Sequence, residues 1–479
     1  MKKKPHVMLN LFQHLISDET LKRVQGDRLK TSIRVSIVFS FLLFSIPFSI
    51  YAVEYSLDDL YRLALERSET IKMAEEDLYI SERGKDKAIS TLFPTLSAFG
   101  SHTRYNEEKR GTTFTLQPEY STSWGLRLDQ SLSLSGRELT ALKIAEETIT
   151  KTVFDLDAVK EEYLLNVAST YYDVLKSKKA VEIARANVER LTKHRDAART
   201  KLKVGEATKT VLLRAEAELS GAQSEMIKAE NNFRLAKVIL ARTVGIEGDY
   251  DVKEAQQISQ QSSILSPQFL VLRDIITPDC GLSTEDCLKQ TALSERAELK
   301  VLELQKKITE NEVRYARGLY WPSLSVEGVY SRREDHPASS FAIKESIYGG
   351  LRFDFPFFEG GLRRAEVREA KAKLRQVELN ISDLKNTINV EVENAYLNLI
   401  TESGILEKLQ AEVEYSLDNY NAVSKQFEYG LANSIDVMDA NTQLVTAERE
   451  LTNARYDYQL AILKLKRATG VLLKTVIGQ

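Results

Sequence analysis

Trp124-Gly-Leu-Arg-Leu-Asp-Gln-Ser-Leu-Ser-Leu134 decides the fold of this 479-residue chain. In an extended segment Trp124, Leu126, Leu128, Leu132 and Leu134 share one face, and Arg127, Asp129, Ser131 and Ser133 share the other. A second stretch keeps the phase, with Leu351, Phe353, Phe355 and Phe357 against Arg352 and Asp354. A half-buried strand of a soluble sheet also alternates. Ten or eleven residues with charge confined to one face is, however, the length and pattern of a tilted membrane strand. Arg127, Asp129, Arg352 and Asp354 are then expected to face a wet barrel lumen. The preceding segments 95–105 and 323–333 alternate less cleanly (Leu96 and Ala98; Leu324, Val326 and Tyr330) and are expected to be partner strands. Polar loops 106–118 and 334–344 join the pairs, with His336 and Pro337 at an exposed tip. Four strands cannot close a barrel, because an open edge in lipid leaves backbone groups unpaired. Several copies must therefore contribute four strands each.

An internal repeat organises the rest. Residues 64–100 match 292–328 without a gap: Ala64-Leu65 falls on Ala292-Leu293, and Phe93-Pro94-Thr95-Leu96-Ser97 on Trp321-Pro322-Ser323-Leu324-Ser325. Further on, Gly125 meets Gly350, Gly136 meets Gly361, Gly205 meets Gly430, and Thr243-Val244-Gly245 meets Ala468-Thr469-Gly470. Each repeat is expected to run helix, strand, loop, strand, very long helix, tight turn, helix. S-x-x-D pairs at Ser56/Asp59 and Ser283/Asp286 open the first helices. Pro94 and Pro322 end the rising helices.

Residues 137–204 contain no glycine or proline, and 362–429 only Gly404; each spans on the order of 100 Å as a helix. Such lengths need helical neighbours. The returning helices show the seam: Ala440, Ala447, Ala454, Ala461 and Ala468 recur every seven residues, with Val437, Leu444, Leu451, Tyr458 and Leu465 three places earlier. Repeat one has Ala215, Ala222, Ala229 and Ala236 with Leu212, Leu219, Met226, Phe233 and Leu240. An ordinary antiparallel hairpin explains this locally; a closed wall of hairpins would also use the other faces.

Before the repeats, residues 35–51 are uncharged and apolar, follow Arg34 and end at Ala52, the pattern of a Sec-type signal peptide. An N-terminal anchor is the alternative, weakened by Pro47 and four serines. The long segment before the apolar run leaves a downstream start codon open. No cysteine follows the run, so lipid modification is not expected. The leader holds 8 basic and 3 acidic residues, so its removal makes a chain of net charge −3 more acidic. That balance excludes a nucleic-acid binder run on positive charge. The organisation is thus a leader (1–52), repeat one (53–246), a connector (247–283), repeat two (284–471) and a tail (472–479). The fold class is an α+β membrane protein of long helical hairpins and four transmembrane strands per chain.

Gly430-Leu-Ala-Asn-Ser-Ile-Asp436-Val-Met-Asp439-Ala440-Asn-Thr-Gln-Leu444, with Leu451-Thr-Asn-Ala-Arg-Tyr-Asp-Tyr458 and Ala468-Thr-Gly470, resembles the TolC-type outer-membrane efflux protein family. The resemblance covers residues 54–471. It implies a homotrimer with a 12-stranded outer-membrane barrel and an α-barrel tunnel through the periplasm. It implies partners too: a periplasmic adaptor (membrane fusion protein), an inner-membrane efflux pump or ABC transporter, and outer-membrane lipid. The equatorial belt of the family would take up the connector. Asp436 and Asp439 fall on its acidic pair at the periplasmic constriction, although Asn433 looks like an N-cap that would make Asp436 a helper of the helix dipole. Phe427 matches an aromatic beside the gate. The turns at Gly205 and Gly430 match the adaptor-docking tips. The closing clasp is altered: Ala432 and Val211 stand where the family has arginine and aspartate, leaving Lys209 or Glu206 with Glu428, or a looser closure. Cys280 and Cys287 are a candidate disulfide in an oxidising periplasm; their spacing equally permits two thiols.

No residue constellation suggests catalysis or a cofactor. His6 and His14 lie in the leader, His102 and His336 near strand ends and His194 mid-helix, none with ligand spacing. The competing class is a periplasmic coiled-coil adaptor or structural protein without a pore, which would not need alternating strand pairs.

Overall fold

The computed structural model describes residues 53–112, 115–254, 283–338 and 343–478. The leader, most of the connector and Cys280 lie outside the described residues. β1 (Val53–Tyr55) leads into α1 (Leu57–Arg67), started by a reciprocal capping box: Asp59 N–H donates to Ser56 Oγ (3.3 Å) and Ser56 N–H to Asp59 Oδ2 (3.0 Å). Where the repeat predicts a single helix before the first strand, two are present. The chain leaves the helical region at Ser68 (φ −56°, ψ 124°) and restarts as α2 (Glu69–Ser90).

β2 (Thr95–Arg104) and β5 (Tyr120–Ser133) follow, with a short hairpin of β3 (Lys109–Arg110) and β4 (Thr115–Gln117) in the intervening loop. α3 (Arg137–Lys203) and α4 (Lys209–Val244) form the first hairpin, and β6 (Tyr250–Val252) pairs with β1. The succession then recurs. α5 (Thr284–Glu295) and α6 (Ala297–Gly318) break at Arg296 (φ −59°, ψ 123°), then come β7 (Ser323–His336), β8 (Glu345–Asp354), α7 (Leu362–Glu428) and α8 (Ser434–Ala468). β7 runs three residues beyond its expected end, so His336 closes a strand, stacked on Tyr120 (4.9 Å between rings), instead of sitting in the loop. Residues 472–479, expected as a tail, supply α9 (Leu472–Ile477), whose Leu472 is fully buried.

The four long strands make one antiparallel sheet in the order β2-β5-β7-β8. Its register aligns the faces: Leu96↔Leu128, Leu132↔Leu324 and Leu324↔Phe353 on one side, Ser97↔Arg127, Ser131↔Ser325 and Ser325↔Arg352 on the other. Helical cores form lower down. One gathers Leu60, Ala64, Leu164, Tyr171, Tyr172, Leu175, Leu240, Tyr456, Leu460 and Leu472; the second gathers Leu288, Leu299, Ile388, Val392, Leu399, Tyr458 and Leu465. On α8 the alanine ladder is buried throughout, Ala440 to Ala468 being 1–6% exposed. On α4 the ladder is less complete, because α8 packs on both α7 and α3 whereas α4 packs on α3 and meets α1 only near its C-terminal end.

Candidate functional site: a membrane sheet and a helical tip

The sheet presents its apolar face outward with none of the described residues over it: Trp124, Leu126, Leu128 and Leu132 are 42–47% exposed, and Leu351 and Phe353 61–76%. From Trp124 to Leu134 the face is ten steps of about 3.3 Å, or ~25 Å at a typical barrel tilt, matching the hydrocarbon layer of an outer membrane. Trp124 meets Tyr330 edge-on (5.9 Å) at one end, and Phe355 meets Phe357 (4.7 Å) at the other, where aromatic side chains suit the lipid–water boundary. On the opposite face Arg127, Arg352 and Asp354 are exposed and Asp129 half-buried, amid Ser97, Ser131, Ser325 and Ser346. Gly125 sits where a side chain would collide with the Phe99 ring (2.6 Å), and Arg127 lies over that ring (5.7 Å). Among the described residues nothing pairs with the outer sides of the edge strands β2 and β8. No helix among the described residues is long and apolar enough to cross a membrane.

At the far end the two hairpins turn at Gly205 (φ +81°) and Gly430 (φ +75°), a left-handed backbone that glycine adopts without steric cost. Glu206 N–H donates to Lys201 O and Leu431 N–H to Gln426 O, both at 2.8 Å, so the repeats close their helices alike. Exposed Val204, Tyr429 and Leu431 surround these turns. Asn433 caps α8: its Oδ1 accepts from Ile435 N–H (2.8 Å) and Asp436 N–H (3.0 Å), while Asp436 Oδ2 accepts from Asn433 N–H (3.0 Å). The capping expectation for Asp436 therefore holds, and Asp439, one turn on, is exposed on the same side. Phe427 is 7% exposed, wedged against His194 (4.8 Å) with Lys201 Nζ 5.0 Å from its ring.

Sequence reasoning missed the polar contacts behind these turns. His194, 6% exposed, is hydrogen-bonded to Ser434 (2.9 Å), and burial holds its imidazole below the usual histidine range. Arg190 Nε donates to Asn441 Oδ1 (3.1 Å), and its Nη1 and Nη2 donate to Glu448 (3.2 and 2.9 Å). Lys201 lies 4.0 Å from Glu206 on its own side of the tip, and among the described residues no ion pair joins Lys209 or Glu206 to Glu428. Cys287 is buried, and no described cysteine is free. Among the described residues no His/Cys/Asp/Glu group could hold a metal.

A membrane-type sheet continued by helices of 67 residues defines an outer-membrane duct. The "Outer membrane efflux protein" family model matches residues 60–246 and 288–471, and the chain belongs to that family. Outer membrane protein TolC of Escherichia coli is 21% identical over 440 residues, 89% of this chain and 84% of that one. The alkaline protease secretion protein AprF of Pseudomonas aeruginosa is 23% identical over 65% of this chain and 62% of its own. The CmeC outer membrane channel of Campylobacter jejuni superposes with a TM-score of 0.72 at 18% identity, covering 87% of this chain and 86% of that one. The protein is an outer-membrane efflux channel, a membership that places it among channels and not enzymes. A pore-less adaptor is not favoured.

Proposed function

We propose that three copies join their four-stranded sheets edge to edge into one 12-stranded barrel, continued by an α-barrel across the periplasm. Substrates passed on by an inner-membrane efflux pump or ABC transporter would leave through this duct. The observation that carries the reading is an open sheet with an apolar outer face and, among the described residues, both edges unpaired: lipid tolerates such a sheet only once its edges are closed. Exposed Leu213, Ile227, Leu235 and Val238 on α4, and Leu379, Val390 and Leu397 on α7, supply further faces for neighbouring copies. The turns at Gly205 and Gly430 are the docking tips for a periplasmic adaptor, being the free ends of the helical wall. Asp436 and Asp439 would place six carboxylates around the constriction, favouring cations; Phe427 would position that end of α7 from within. Arg127, Asp129, Arg352 and Asp354 line the barrel. Cys280 and Cys287 pair.

The test is purification of the mature chain. Detergent-dependent extraction, a trimeric mass and discrete currents in planar bilayers are expected. A water-soluble monomer without a pore overturns the reading. Replacing Asp436 and Asp439 together by alanine should raise conductance or lower cation preference; unchanged currents would remove the pair from the constriction.

A further inference from the structure

We propose that Arg314, Arg317, Arg364 and Arg368, extended downward by Lys371 and Arg375, form a site on the outside of each chain for anionic phospholipid headgroups of the periplasmic leaflet. The proposal rests on the barrel reading above and adds a ligand to it, the phosphate of a lipid such as phosphatidylglycerol.

Arg364, Arg368, Lys371 and Arg375 recur at i, i+4, i+7 and i+11, so they share one face of α7 directly below the strand–helix junction. Arg314 and Arg317 share a face of α6 at the same level. Val313 and Ala316 pack there on Val367 and Ala370, and Lys306 pairs with Glu378 (3.1 Å) further down. All six are exposed, and among the described residues none of these side chains makes a hydrogen bond or an ion pair.

Both faces lie on one side of the helical wall. On the other side Lys373 pairs with Glu369 (2.8 Å) and feels the charge of Glu312, which brings those faces of α7 and α6 together. Arg314 and Arg317 stand across α6 from Glu312, as Arg364 and Lys371 stand across α7 from Lys373. Tyr315, on the Glu312 side of α6, shares a cavity with Thr95, Asp129 and Ser131, which belong to the polar face of the sheet. The Glu312 side is therefore the lumen side, and the arginines point away from it.

The patch begins where the apolar band ends. Phe357 and Phe358, 89% and 87% exposed, stand between β8 and α7, at the level where headgroups replace hydrocarbon. Five of the six cations are arginine, whose planar fork grips phosphate with two bonds. α7 adds its own N-terminus, which starts at Gly361 without a side-chain cap and has no acidic residue in its first turn. Glu310 shares the α6 face, while Glu312, Glu366 and Glu369 turn away from it. Lys371 and Arg375 lie about 10 and 17 Å below Arg364 and extend the attracting field.

The duplication supplies an internal comparison. The matching positions of repeat one are Asp86, Ile89, Leu139, Lys143, Glu146 and Thr150, with Asp86 beside Arg83 and Glu146 paired with Lys85 (3.0 Å). One cation and two carboxylates occupy there the places that six cations hold in repeat two. A strand–helix joint thus does not itself require the charge.

The chain has two tryptophans; Trp124 lies on the sheet, and Trp321 closes on the end of α6 through its N–H to Gly318 O (3.1 Å). The experiment uses the full mature protein carrying Trp124→Phe in phosphatidylcholine vesicles, with brominated phosphatidylglycerol or brominated phosphatidylcholine as quencher of Trp321. Phosphatidylglycerol is expected to bind about fivefold more tightly at the junction. Arg314→Gln with Arg317→Gln, and Arg364→Gln with Arg368→Gln, should each reduce the preference, and all four together should bring it to parity. Lys143→Gln, at the repeat-one match of Arg368, is the control and should leave it unchanged. A preference that survives the fourfold substitution overturns the site, as does an equal loss with Lys143→Gln. So does a parent protein indifferent to the two lipids; should it bind purified peptidoglycan instead, the patch is a cell-wall contact. Altered ion selectivity after the fourfold substitution, with lipid preference unchanged, puts the arginines in the lumen and overturns the site too. In each of these cases the barrel reading stands. A chain that never inserts into the vesicles overturns that reading and this one together.

Discussion

Glu161 is 5% exposed, and its carboxyl titrates near 7, chiefly because burial disfavours the charge and despite an N–H donated by Leu473. Folded protein keeps that proton while unfolded chain loses it from its ordinary value of 4.5 upward. Stability therefore falls as pH rises from 4.5 to 7 and is level above. Glu161→Gln is neutral at every pH and still accepts from Leu473. It should stabilise the protein by about 2–3 kcal/mol at pH 8 and hardly at pH 4, measured by thermal unfolding in detergent. His194 runs the other way. Buried and neutral, it bonds Ser434 on α8 and rests on Phe427 of α7, whose ring also takes Lys201 Nζ. Unfolded chain takes up a proton there from 6.5 downward more readily than folded protein does, so stability falls as pH drops through that value. The midpoint of thermal unfolding in detergent should fall on acidification from pH 7.5 to 5.5, and His194→Gln should flatten that fall. Neither residue announces itself in the sequence. Glu161 sits among ordinary helical charges, and the partner that buries His194 lies 240 residues away.

α8 is the element whose role was most legible. A strict heptad of alanine with leucine, valine or tyrosine prescribes close helix contact, and those positions are buried save Leu451, which is half-buried. Ala447, 1% exposed, leaves no room for a longer side chain. Ala447→Leu should cost about 1–3 kcal/mol by forcing α8 off its neighbours, seen as a lowered denaturant midpoint with an unchanged slope. The breaks at Ser68 and Arg296 fall where the resembled family has Asn-Pro after its first helix, but with neither glycine nor proline at these sites the residues themselves did not mark them. Ser68 supplies its own restart by accepting from Ile71 N–H (3.3 Å), a bond that any surface serine could suggest. α9 was missed because six residues are too few to show a period.

For the whole molecule, alternation in β5 and β8 predicted which sheet face is apolar, because lipid on one side and water on the other impose a strict period of two. β2 and β7 were harder to read: Gly100 and Gly328 interrupt the apolar face opposite Trp124 and Leu128 of β5, and His102 falls opposite Thr122. The faces can be told apart by one substitution each. Leu128→Lys should cost about 2–4 kcal/mol of barrel stability and lower trimer yield, whereas Ser131→Lys should be tolerated and merely shift ion selectivity. The central strands, at 14 residues, also overhang the 10-residue edge strands, β2 at one end of the sheet and β8 at the opposite end. Each sheet is thus a slanted parallelogram. In the proposed trimer, where such pieces meet along the full length of their short sides, every joint would step by four residues, and three joints would wind the wall into a spiral whose strands lean at about 35° from the pore axis. The slope of the finished cylinder is in this way already cut into the outline of a single chain.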